Sequence, residues 1–300
     1  MKREIIKVES RDQLRMIIEE SANDADLNHL DVSGITDMNH LFGWTEFNGS
    51  ISDWDVGNTV NMNGMFVNSA FDGDISGWDT SRVVSMRGMF QGSKFNQNIS
   101  GWNTGSVRDM NGMFRGSEFD QDLSDWDVSE VRTMAGLFCG SRFRGDISRW
   151  DVSKVRDMNF TFGCSKFNGD ISGWDTSSVE DMDCLFCESD FNGDVSRWNV
   201  SRVVSMRGTF RESDFNGDIS HWNVSRVADM ELMFFRSRFD RDISDWDVSN
   251  VLCMEGMFLD SKFSGDITKW EFRDGVRYDN ILKGSPLEGN VRFHVTAVSN

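Results

Sequence analysis

The chain has one proline, one tyrosine and four histidines in 300 residues. The histidines, His29, His40, His221 and His294, share no common spacing, so a histidine-based triad or metal centre has little to build on. Five cysteines, Cys139, Cys164, Cys184, Cys187 and Cys253, form an odd and scattered set, which argues against a disulfide framework. Cys184-Leu-Phe-Cys187 has CxxC spacing, but no second pair supports zinc, and no metal or redox role is assigned to it. Basic residues are outnumbered by acidic ones, 31 to 49, giving a net charge of −18. That balance argues against nucleic acid or anionic membrane as a partner, since phosphate binding depends on Lys and Arg. Apolar runs near the ~18 residues of a membrane span are missing, so no membrane insertion is expected. The opening MKREIIKVES lacks the apolar core of a signal peptide. A glycine-rich phosphate loop and a nucleophile elbow are missing too. The expectation is a protein that is not an enzyme and has no cofactor.

What the sequence does have is a period. Trp54, Trp78, Trp102, Trp126, Trp150, Trp174, Trp198, Trp222, Trp246 and Trp270 are each 24 residues apart, without insertion. With Phe as position 1, one unit reads F-N-G-D-I-S-x-W-D-V-S-x-V-x-x-M-x-G-M-F-x-x-S-x. Eleven units fit residues 23–286: a degenerate first (23–46), nine strong ones over 47–262, and a last (263–286) that decays after its tryptophan. Pro286 falls where the pattern stops. A unit this short has too few apolar side chains to fold alone and must stack on copies of itself, as in a solenoid. Its length lies in the range of leucine-rich repeats. One elongated domain is expected, with coils about 4.8 Å apart.

The invariant apolar columns read as core. Position 1 is Phe from Phe47 to Phe263, position 16 is Met from Met38 to Met254, and position 20 is Phe from Phe42 to Phe258. Asp-Ile-Ser at positions 4–6 alternates like a short strand with Ile inward. The stretch V-x-x-M-x-G-M-F, apolar at i, i+3 and i+6/i+7, suggests a short helical turn on the opposite wall, although Gly at position 18 weakens it and a second strand stays open. The fold expected is therefore an LRR-like right-handed β, or β/short-helix, solenoid of about 11 turns. Residues 1–22 form an N-terminal cap, with a helix at about 10–20 opened by the capping box Ser10-Arg11-Asp12-Gln13 and packing Leu14, Ile17 and Ile18. Residues 1–8, with Ile5, Ile6 and Val8, tuck alongside. Residues 287–300 form a C-terminal cap or tail in which Val291, Phe293 and Val295 alternate like a strand.

Two acidic columns carry the question of chemistry. Position 4 holds Asp74, Asp122, Asp146, Asp170, Asp194, Asp218, Asp242 and Asp266, with Ser50 and Asn98 as exceptions. Position 9 is Asp or Asn throughout units two to ten, from Asp55 to Asp247. Carboxylates about 5 Å apart repel by roughly 1 kcal/mol per pair in water. Either their oxygens accept backbone N–H bonds at a turn, or cations such as calcium bridge them. The Asp/Asn interchange at position 9 favours the hydrogen bond, since Asn keeps the acceptor and drops the charge. Position 4 leaves both readings open. Position 7, just before the Trp, varies most tellingly: Asp53, Gly77, Gly101, Asp125, Arg149, Gly173, Arg197, His221, Asp245 and Lys269. Its charged members border the expected strand face, where solenoids present ligand-binding surfaces, and are the candidate partner-binding residues. Charge reversal at Arg149, Arg197 and Asp245 is expected to weaken capture of a protein partner.

The unit resembles the repeat of BspA-like leucine-rich-repeat surface proteins, a group first catalogued as a domain of unknown function and abundant in mycoplasmas. The resemblance covers residues 23–287; DLNHLDVSGITDMNHLF (26–42) and GSPLEGN (284–290) are similar to that family's opening turn and exit. It implies an LRR-type solenoid on a bacterial surface, associated with adhesion or host-protein binding, and supplies no catalytic residue. A secretion or lipoprotein signal, which surface display would require, is not seen in this chain.

Overall fold

The computed structural model describes residues 4–290 and the backbone of 294–296. They fall into two compact units, Met1–Asp151 and Val152–Asn300. Both are built from the same 24-residue coil, and each is held by the same three devices.

The first device is an aromatic ladder. In unit 1 the indoles of Trp54, Trp78, Trp102 and Trp126 stack at 6.4–6.5 Å with interplanar angles of 1–7°. In unit 2 Trp174 and Trp198 stack at 6.3 Å, and Trp246 and Trp270 at 6.5 Å. The position 20 phenylalanines stack at 5.3–5.8 Å in unit 1 and 5.6–5.7 Å in unit 2. Position 1, 5, 16 and 20 side chains of coils two to ten are all but fully buried. Large aromatics bring the most apolar area per residue, which is how so short a coil closes a core.

A buried indole N–H needs an acceptor, and the second device provides it. Trp78, Trp102, Trp126 and Trp150 each donate Nε1–H to the position 5 carbonyl of the preceding coil, at 3.0–3.2 Å. Trp198, Trp222, Trp246 and Trp270 do the same in unit 2, at 3.0–3.1 Å.

The third device corrects the sequence reading. The wall over positions 16–23 is neither a helical turn nor a strand but a run of tandem turns. In unit 1, Met62, Gly64, Phe66 and Asn68 donate N–H to Ser85, Arg87, Met89 and Gln91 of the next coil at 2.7–3.0 Å. The intervening Met65, Val67 and Ser69 donate to residues three back in their own coil, at 3.0–3.2 Å. Unit 2 repeats this with Met182, Cys184, Phe186 and Glu188 against Ser205, Arg207, Thr209 and Arg211. Positions 18 and 22 are left-handed in every coil, as at Gly64 (φ +57°), Asn68 (φ +49°), Cys184 (φ +52°) and Glu188 (φ +53°). A left-handed residue every fourth position excludes both a right-handed helix and an extended strand.

Positions 4–6 are likewise turns rather than the strand expected. Trp at position 8 donates its backbone N–H to position 5, as in Trp78 to Ile75 at 3.2 Å, closing a β-turn with positions 6 and 7 at its corners. Sheet-like pairing lies instead at position 15, as parallel bridges Asp37–Asn61–Ser85–Asp109–Thr133 in unit 1 and Asp157–Asp181–Ser205–Asp229–Cys253–Arg277 in unit 2. Position 4 forms such a bridge between Asp26 and Ser50.

At the start of unit 1, β1 (Ile6–Lys7) pairs in parallel with β2 (Leu30–Asp31). Helix α1 spans Arg11–Glu20 between them. Ser10 caps it, its side chain accepting from Gln13 N, while Gln13 Oε1 accepts from Glu9 N at 2.7 Å. Leu14 and Ile18 are buried, and Arg15 reaches the carbonyls of His40 and Leu41, tying the helix to the first coil. In unit 2, β3 (Glu271–Arg273) pairs in parallel with β4 (His294–Thr296), Phe272 opposite Val295. Val291 and Phe293, the other members of the expected strand, lie outside the described residues. Among the described residues no helix is long and apolar enough to cross a membrane.

Candidate functional site

The face formed by positions 2–11 is where the sequence placed its candidates. At position 4, Oδ1 of Asp74, Asp122, Asp146, Asp170, Asp194, Asp218, Asp242 and Asp266 each accepts the N–H two residues on at 2.9 Å, an Asx turn leading into the β-turn. This hydrogen bond offsets like-charge repulsion along the column. The backbone N–H of the following serine is the largest influence on Asp74, Asp122, Asp146, Asp194, Asp218 and Asp242, and holds these carboxyls below the usual carboxylate range. Asp266 is lowered first by the hydroxyl of Thr268. Repulsion from the neighbouring rung, such as Asp146 acting on Asp122, is the smaller effect. Position 9 makes the same turn. Asp79, Asp127, Asp175 and Asp247 accept from the N–H two residues on at 3.0–3.1 Å, and Asn199 and Asn223 do so at 3.1–3.2 Å.

Position 7 is a β-turn corner, so its side chain faces solvent without disturbing the coil. Asp53, Asp125 and Arg149 in unit 1, and Arg197, His221, Asp245 and Lys269 in unit 2, are all exposed. Some serve local charge balance: Arg149 lowers Asp146, Arg197 lowers Asp194, and Lys269 bridges Asp245 of the preceding coil at 3.0 Å. In unit 2 the face is indented by a shallow groove of about 620 Å³. Asp218, Asp240 and Asp242 line it, with Arg241 at its side.

Three features escaped the sequence reading. One is a position 2 ladder in which Asn48, Asp72, Asn96 and Asp120 each accept the position 2 N–H of the next coil at 2.7–2.9 Å. Asn168, Asn192, Asn216 and Asp240 repeat it in unit 2. Its signal was an Asn/Asp alternation at one register position. Another is the polar seam at positions 15 and 17 of unit 2. Burial pushes Asp181 up to about 6, and Asp183 and Asp157 add repulsion. In the same seam the ligand atoms of Asp229, Glu231 and Cys253 lie within 4.8 Å of one another, the donor types of a divalent-cation site. Asp229 Oδ1 there already accepts Glu231 N at 2.8 Å, and Glu231 pairs with Arg207 at 3.2 Å.

The third feature is a cavity of about 280 Å³ in the turn wall of unit 2, lined among others by Phe160, Asp183, Cys184, Arg207, Arg211 and Leu232. Phe160, Cys184 and Leu232 all stand at position 18, where a left-handed backbone favours glycine. The consensus glycine of this column hid them.

No curated protein and no solved structure matches the chain. A model of one family, described as Mycoplasma protein of unknown function, DUF285, matches four overlapping stretches, residues 12–121, 68–163, 108–214 and 188–289. Together these matches run from α1 through the last coil, so the chain belongs to the DUF285 repeat family.

Proposed function

We propose that the protein is a non-enzymatic interaction protein that binds a protein partner through the turn face of its coils. The observation that carries this reading is the freedom of position 7. Position 2, 4 and 9 side chains are occupied with backbone hydrogen bonds, and positions 1, 5, 8, 16 and 20 with the core. Position 7 has no such duty, yet it carries Asp, Arg, His and Lys. In unit 2 the adjoining acidic groove suits the insertion of a Lys or Arg side chain between Asp218 and Asp242. The resemblance to BspA-like surface proteins supports the finer reading of adhesion or host-protein binding.

Charge reversal at Arg149, Arg197 and Asp245 tests it. Partner capture should fall by about tenfold, equivalent to about 1.4 kcal/mol. Thermal stability should stay within about 0.5 kcal/mol of the parent, because the sites are exposed. Undiminished capture by the triple variant would rule the face out.

A further inference from the structure

We propose that Cys184 and Cys187 form a dithiol–disulfide pair that exchanges electrons with low-molecular-weight disulfides admitted through the turn-wall cavity of unit 2. The two residues end one β-turn: Cys187 N donates to Cys184 O at 3.1 Å. Residues so placed have Cα atoms under about 7 Å apart. A disulfide asks for about 4.4–6.8 Å. All five cysteines are thiols in the structure, and Cys184 and Cys187 act on one another's acidity.

Access divides their roles. Cys184 is half-buried and lines the cavity, whereas Cys187 is 3% exposed. The Cys187 sulfur lies only 3.1 Å from where a Cβ on Gly163 would stand. In the next coil Gly208 leaves the Cys184 sulfur uncovered, since a Cβ there would lie 3.0 Å from it. The cavity is also cationic on one side. Arg207 and Arg211 line it, Arg207 pairing with Glu231 at 3.2 Å and Arg211 with Glu188 at 2.7 Å, while the buried Arg211 Nε, which makes no hydrogen bond, lies 3.6 Å from Glu212. Such a lining suits the carboxylates of a thiol-peptide disulfide. The neighbouring Cys187 lowers the Cys184 thiol, with burial and Asp183 opposing and Arg211 and Arg207 adding smaller lowering effects, while Cys184 and burial raise Cys187. A partly exposed thiol beside cations is the usual setting of a reactive cysteine.

The exchange balances as follows. Cys184 thiolate attacks one sulfur of the small disulfide, forming a mixed disulfide and expelling one thiolate. Cys187 loses its proton and attacks the Cys184 sulfur, forming the intramolecular disulfide and expelling the second thiolate. The two protein thiols give up two electrons and two protons, and the small disulfide becomes two thiols.

The test uses the full chain with oxidised glutathione at about pH 7.5. Peptide mapping should find one Cys184–Cys187 cross-link, reversed by a dithiol reductant. Cys187→Ser should trap glutathione on Cys184. Iodoacetamide should label Cys184 at least about tenfold faster than the buried Cys139. Cys184→Gly restores the residue that Gly208 supplies one coil later, so it should fold and lose the cross-link. A cross-link through Cys164, an adduct trapped elsewhere, or no cross-link in the parent chain would each overturn the proposal.

Discussion

Unit 1 and unit 2 share a core and differ in their turn walls. At the left-handed positions 18 and 22, unit 1 places Gly64, Gly88, Gly92, Gly112, Gly116, Gly136 and Gly140, departing only at His40, Trp44 and Asn68. Unit 2 keeps Gly208, Gly256 and Gly284, and fills the rest with Phe160, Cys164, Cys184, Glu188, Glu212, Leu232, Arg236, Asp260 and Asn280. Side chains at left-handed positions cost roughly 1 kcal/mol each relative to glycine. Unit 1 therefore reads as a wall relaxed to its backbone, and unit 2 as a wall that trades backbone ease for exposed chemistry. Where strain of this kind persists, function is the first hypothesis.

The largest effect tests whether the cores are equivalent. Trp102→Ala in unit 1 and Trp222→Ala in unit 2 each remove a buried ring and an indole hydrogen bond. Each should cost about 3–5 kcal/mol. Urea unfolding followed by fluorescence checks this; one substitution costing less than half the other would break the equivalence.

A smaller effect tests the wall itself. A Cβ on Gly112 would meet nothing closer than 3.7 Å, so Gly112→Ala isolates the backbone term and should destabilise by about 1 kcal/mol. Glu212→Gly in unit 2 should go the other way by about 0.5–1 kcal/mol, its exposed pair with Arg211 being worth little. Equal signs for the two substitutions, read from denaturation midpoints, would refute the trade described above.

The last effect is set by pH. Asp181 has its carboxyl pushed from 3.8 to about 6, so the folded chain holds that proton more tightly than the unfolded one. Its contribution is most favourable below about pH 4 and is lost as pH rises through about 6. Asp181→Asn keeps the Oδ1 acceptor for Asp183 N and drops the charge. It should raise the melting temperature at about pH 8 and leave it unchanged at about pH 4. Asn61, at the same position in unit 1, is already neutral, so no pH dependence should arise from that site.

How much of this was legible follows from what repeats. Trp, Phe and Met columns are visible because core packing demands the same shape every 24 residues. Asp74-Ile75-Ser76 was misread as a strand because an Asx turn running into a β-turn also points its residues out, in and out. Met62-Asn63-Gly64-Met65-Phe66 was misread as helical because tandem turns advance about four residues at a time, close to a helical period. Recurrent glycine at position 18 was the available clue, marking a positive φ rather than a weak helix. Cys164, Cys184 and Cys187 looked scattered because they occupy different columns. In the folded chain the first lies one coil from the others, with Cys164 N bonded to Cys187 O at 2.7 Å.

The position 8 indole hydrogen bonds point back along the chain, as Trp78 and Trp198 each reach a carbonyl 27 residues earlier. During synthesis, a newly emerged coil thus brings its indole donor to an acceptor already in place, and its carbonyls meet the turn-wall N–H groups that the preceding coil holds ready. Closing such short spans is fast. The ribosome would extrude this protein much as a zipper is drawn shut, one tooth at a time from the amino end.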